Sequence, residues 1–139
     1  MVKKVVNILI LFVAGSYLLS GQTNYIGLHS DQVKILMHQE QKKMNLDNST
    51  VNNTFNYLKY VDYLNEQTLL YALDENDTCT WWKLMCDYSL LEEKKQWLNN
   101  NYRRLSSNEW FYTLEGDKVV LSLIEEEWFF TIKAKPEEK

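Results

Sequence analysis

The sequence predicts an α+β fold, helix-βββ-helix-βββ, with two helices packed on an antiparallel sheet of about six strands. Three observations lead there. Residues 110–134, WFYTLEGDKVVLSLIEEEWFFTIKA, read as three short aromatic and aliphatic strands joined by tight polar turns. Residues 55–85 repeat that order at greater length, as an aromatic strand, an aliphatic strand, an acidic turn and a Trp-bearing strand. Each strand group follows a segment with apolar residues at three- and four-residue spacing, the period of a helix. With 139 residues, 45% apolar and 24% charged, the chain has material for one core, and four Gly with a single Pro leave little for linkers.

Residues 1–21 read as a secretory signal peptide. Lys3 and Lys4 supply the basic start, and residues 5–19 form an apolar run of about 15 residues, shorter than the ~20 a spanning helix needs. The expectation is an exported protein, periplasmic or secreted, with no stable membrane span after cleavage. A single α+β domain is expected over residues 22–135, with a frayed charged tail at 136–139. Removing Lys3 and Lys4 lowers the 15 basic residues to 13 against 19 acidic ones, so the formal charge falls from −4 to −6. An acidic chain with scattered Lys and Arg argues against nucleic acid as a partner, because phosphate binding needs a basic stripe.

Along the mature chain, Ser30 and Asp31 suggest a helix cap and an acidic first turn. Val33, Leu36 or Met37, and Met44 form the apolar stripe of a helix expected to end near residues 45–48. Residues 52–63 alternate as a strand, with Tyr57 and Val61 on one face and Leu58 and Tyr60 on the other. Strands follow at 68–73 and 79–85, separated by the acidic stretch Asp74-Glu75-Asn76-Asp77. That stretch lacks the Gly and Glu of a calcium loop and reads as a solvated turn. Trp81 and Trp82 must point to opposite faces of their strand, one under the helices and one more exposed. Ser89 and Glu92 have the spacing of a capping box for a second helix whose apolar face takes in Leu91, Leu98, Tyr102 and Leu105, with Arg103 and Arg104 near its end. Strands at 110–114, 119–124 and 128–134 complete the sheet.

Cys79 and Cys86 fit one disulfide of an exported protein or a pair of buried thiols. A bridge needs Cα atoms roughly 5.5 Å apart, so it requires a bend within the intervening residues. Signatures of hydrolases, zinc proteases and phosphate-binding loops are absent from the sequence. His29 and His38 lack the i, i+4 spacing of a helical metal pair, and neither a metal nor a cofactor is implied.

The lead-in Tyr25-Ile26-Gly27-Leu28-His29-Ser30, then Val33 and Met37, then an aromatic strand (Phe55, Tyr57, Tyr60) and an aliphatic one at 69–73, resembles small exported α+β proteins of two types. These are the outer-membrane assembly factor BamE and the β-lactamase-inhibitor-protein type; short secreted proteins common in Bacteroidetes are also similar. In this chain an extra residue separates Gly27 from Ser30, and the lipid-attachment Cys of the assembly factor is missing. The resemblance implies a binding or scaffolding module of the cell envelope and carries over no functional residue. The leading expectation is therefore a non-enzymatic module whose aromatic sheet face docks a protein or glycan, with Tyr57, Tyr60, Trp81, Trp82 and Trp128 as candidates. The alternative is a small thiol-dependent hydrolase pairing Cys79 or Cys86 with His38, which requires a thiol of depressed pKa.

Overall fold

In a computed structural model that describes residues 24–48 and 55–139, helix α1 (Ser30–Glu40) leads into strands β1 (Asn45–Leu46), β2 (Tyr57–Asp62), β3 (Gln67–Leu73) and β4 (Cys79–Cys86). A 3-10 turn at Tyr88–Leu90 then opens helix α2 (Leu91–Asn101), which is followed by β5 (Arg103–Ser106), β6 (Glu109–Leu114), β7 (Asp117–Glu125) and β8 (Phe130–Pro136). The signal-peptide reading of residues 1–21 and the strand start at residues 52–54 lie outside the described residues.

All eight strands form one antiparallel sheet in the order β1-β2-β3-β4-β8-β7-β6-β5. Each half is a helix followed by a four-strand meander, and the halves meet where β4 pairs with β8. The strand order therefore reads the same inward from either edge, so the repeat of helix and strands is present in the topology with one more strand per half than expected.

The two extra strands are both edges. The pair Asn45–Leu46 is too short to show an alternating pattern. Residues 103–106 imitate a helix in sequence, but α2 stops at Asn101 and Tyr102 is already extended at φ −132° and ψ 159°. The Asn99-Asn100-Asn101 run is poor helix material, and the Asn101 amide turns back to donate to the Trp97 carbonyl at 2.8 Å. Arg103 and Arg104 instead pair with Phe111 and Trp110, and the Arg104 guanidinium lies 5.6 Å over the Trp110 ring. Their role is at a sheet edge and not at a helix terminus.

Both helix caps differ from the expected ones. His29, not Ser30, caps α1: its Nδ1 accepts the Asp31 N–H at 3.2 Å, and the Gln32 side chain accepts the His29 N–H at 3.2 Å. Ser30 is buried in the first turn, with its N–H donated to the Asp77 carbonyl. The helix also ends earlier, at Glu40, so Met44 packs on the core from the connection beyond it. Asp87 caps the 3-10 turn by accepting the Ser89 N–H, and no side chain caps α2 at Leu90, so the Ser89 and Glu92 box does not form.

Cross-strand register places the core on one face of the sheet. Tyr71, Trp82, Ala134, Leu121 and Trp110 lie side by side, with Leu69, Leu84, Ile132 and Leu123 in the parallel row. Ala134 is the small residue that lets Trp82 and Leu121 flank it without crowding. Both helices lie on this face. From α1, Val33 and Met37 are buried, and the Tyr71 hydroxyl donates to the Met37 sulfur at 3.1 Å. From α2, Leu98 is buried, and the Trp110 indole N–H donates to Asn99 Oδ1 at 2.9 Å. The lead-in also reaches this face, with Tyr25 5.0 Å from Tyr71 and the Tyr112 hydroxyl donating to Asn24.

Turn chemistry fixes the hairpins. Glu115 and Gly116 both have positive φ, at 50° and 85°, which is the type I′ geometry that a two-residue hairpin loop prefers. The β2–β3 turn is organised by Asp62, only 3% exposed, whose carboxylate accepts the Leu64 and Asn65 N–H groups at 3.1 and 3.2 Å and the Asn65 amide at 2.7 Å. The Asn65 side chain, followed by those backbone donors, holds the carboxyl below its usual range. A carboxyl lowered on folding contributes stability above its ordinary pKa near ~4, and that contribution is lost as pH falls through the folded value. Asp62→Ala is therefore expected to cost about 1–2 kcal/mol at neutral pH from the lost hydrogen bonds. In urea titrations the gap between variant and parent should narrow as the pH falls below about 4; a gap independent of pH would contradict this role.

Candidate binding surface

The helices cover only one face. Alternation along the strands sends Leu70 of β3, Trp81, Lys83 and Met85 of β4, Lys133 of β8 and Val120 of β7 to the opposite face, where no described helix packs. These side chains are half-buried by one another and not by a second layer. A sheet with one covered face ordinarily presents polar side chains on the other. Here β3 and β4 present Leu70, Trp81 and Met85, and β7 presents Val120, beside the lysines of β4 and β8.

The charge on this face is uneven. Lys59, Lys83, Lys118, Lys133 and Lys135 all project from it. Three of these have carboxylate partners: Asp47 for Lys59 at 3.2 Å, Glu137 for Lys118 at 3.9 Å and Glu138 for Lys135 at 3.0 Å. Lys83 and Lys133 stand directly opposite each other across the β4–β8 seam. Among the described residues neither has a carboxylate within ion-pair distance. The Lys133 ammonium lies 4.6 Å over the Trp81 ring.

The aromatic residues singled out in the sequence divide between surfaces. Tyr57 and Trp81 share the open face, in line across Ala72. Tyr60 and Trp82 point to the helix side and are buried, so the two indoles separate as the alternation requires. Trp128 belongs to neither face: β8 begins only at Phe130, and a bond from the Glu126 N–H to the Phe129 carbonyl closes a turn that leaves Trp128 78% exposed. The lysine pair is the feature that sequence reading missed, because its members lie in different halves of the chain and only the seam pairing brings them together.

On the helix side a cleft of about 1250 Å³ lies between the end of α1 and α2, with Tyr71 and Trp82 on its floor and Glu93, Lys94, Trp97 and Tyr102 along its wall. Burial pushes the phenols of Tyr71 and Tyr102 above their ordinary range, so they remain neutral. Among the described residues no cluster of three potential metal ligands occurs, and no helix is long and apolar enough to cross a membrane.

Cys79 and Cys86 are free thiols at opposite ends of β4, so the disulfide reading does not hold. A strand of this length sets them roughly 20 Å apart, far beyond bridging distance. A bulge explains why both are nevertheless buried. Ala72 pairs with Trp81 and Leu73 with Cys79, leaving Thr80 as the extra residue that returns Cys79 to the helix face. Burial pushes Cys79 up to about 12 and Cys86 up to about 11, the opposite of what a thiolate nucleophile requires, and His38 is exposed on α1. At pH 8 the folded protein is expected to react with a disulfide-exchange reagent about a hundredfold more slowly than the denatured chain. Fast labelling of either thiol in the folded state would contradict the burial.

No protein-family model matches the chain, and no curated protein or solved structure is significantly similar to it.

Proposed function

We propose that this is an exported, non-enzymatic binding or scaffolding module of the cell envelope or secreted space, docking a protein or glycan partner on the open face of its sheet. One observation carries the reading. Leu70, Trp81, Met85 and Val120 are apolar groups on a sheet face that no described helix covers, whereas the helices already enclose the core on the other face. Apolar groups interspersed with lysines on an uncovered face are a common form of contact surface. Tyr57 and Trp81 supply the aromatic anchors, the residue types that dominate interface energetics. The resemblance of residues 25–73 to small envelope proteins, and the apolar run near the start of the chain, favour the exported setting.

Photocrosslinking tests the proposal. Benzoylphenylalanine is placed at Leu70, on the open face, and separately at Ile35, which is 58% exposed on α1. After illumination in extract of the producing cells, position 70 is expected to yield a discrete adduct and position 35 none. Equal labelling from both positions, or none from position 70, would overturn the proposal.

A further inference from the structure

We infer that the occupant of the open face is an acidic protein segment whose carboxylates bridge Lys83 and Lys133. This deepens the docking role proposed above and rests on it. The lysine pair at the seam carries a cost that no ion pair among the described residues offsets. Like charges directly opposite on neighbouring strands are destabilising, and Lys83 faces Lys133 at the centre of the sheet. The lysines nearer the margins have their own carboxylates, at Asp47, Glu137 and Glu138. The two central ones have none within ion-pair reach among the described residues, and the Lys133 ammonium lies over the Trp81 ring. The Lys83 stem lies between Leu70 across the strand pair and Met85 along β4, and Lys133 has Ser122 on its other side, so the ammonium pair rises beside an apolar margin.

Opposed Cβ atoms on antiparallel strands stand about 5 Å apart, so one carboxylate can accept from both ammonium groups. Apolar side chains flanking that carboxylate would then rest on Leu70, Met85 and Trp81. Charge complementarity favours a protein segment over a polyphosphate or an anionic bilayer. The chain has formal charge −4, and carboxylates at Asp47, Glu109 and Glu137 border the face, which leaves a short cationic centre and not a stripe. An extended polyanion would meet repulsion at the margin; one or two carboxylates among apolar groups would not.

The test uses a fluorescent ten-residue peptide alternating Glu with Leu and Ser, its Lys-for-Glu counterpart, a polyphosphate, and phosphatidylglycerol vesicles, each titrated against the protein at low salt. Saturable binding of the Glu peptide is expected, with about tenfold weaker binding by the double variant Lys83→Gln/Lys133→Gln and a loss of affinity as salt rises. The single variant Lys83→Glu checks the fold independently, since a cross-strand ion pair with Lys133 should raise the melting temperature while abolishing peptide binding. Equal binding of the Lys peptide, tighter binding of polyphosphate or vesicles, or unchanged affinity in the double Gln variant would overturn the inference. If Leu70 still crosslinks while the Glu peptide fails to bind, the acidic partner is refuted and the docking face survives. If Leu70 does not crosslink, the docking face itself falls.

Discussion

Trp110→Ala is expected to destabilise the protein by about 3–5 kcal/mol, the range for removing a large buried aromatic from a close-packed core. Burial and two contacts are lost together at this site. The indole is 1% exposed, its N–H donates to Asn99 on α2 at 2.9 Å, and the Arg104 guanidinium of β5 lies over its ring at 5.6 Å. Trp110 therefore ties a helix, an edge strand and the β6–β7 pair into one unit. Asn99 Oδ1 also loses its donor, though its exposure lets water replace it. Urea unfolding followed by far-UV circular dichroism gives the difference directly, and a loss below about 1 kcal/mol would mean that α2 does not depend on this anchor. Trp110→Phe, which keeps most of the volume, should recover the larger part.

Ile132→Ala should cost about 2–5 kcal/mol. Ile132 is fully buried on β8, opposite Leu84 on one side and Leu123 on the other, at the seam where the two meanders join. Because the core runs across this seam, the variant should unfold in one transition, with fluorescence and circular dichroism changing together. Two separated transitions would show the halves to be independent. Leu46→Ala, at an exposed position on the edge strand β1, removes a comparable side chain and should stay within about 0.5 kcal/mol of the parent. The contrast measures what burial at the seam contributes beyond side-chain size.

Much of this architecture was legible because β2, β3, β7 and most of β4 alternate between the two faces. Trp81 and Trp82 had to separate between faces, and the strand at Tyr57–Asp62 had to put Tyr60 opposite Tyr57. What was not legible depended on neighbours distant in sequence. Residues 103–106 continue the spacing of Leu98 and Tyr102, and only pairing with Trp110 and Phe111 reveals an edge strand. Cys79 reaches the helix face through a bulge at Thr80 that the local sequence does not announce. The caps shifted because His29 and Asp87 offered an acceptor one or two residues before the expected hydroxyls. Within the candidate site, Tyr57 and Trp81 could be read from alternation, whereas the Lys83 and Lys133 pair needs the β4–β8 register, which links the two halves.

That register also decides what a partner would meet. With both helices on the Trp82 face, Trp81 and Met85 lie on a surface with a cationic centre and paired lysines at its margins. The two faces differ in cover: the helices lie on the Trp82 face, with a cleft between them, and no described helix lies on the Trp81 face. Hydroxyl-radical footprinting of the folded protein tests this difference most directly, by comparing side chains of matched chemistry on the two faces. The account predicts faster oxidation of Trp81 than of Trp82 and of Met85 than of Met37; protection of Trp81 and Met85 to the level of Trp82 and Met37 would contradict it.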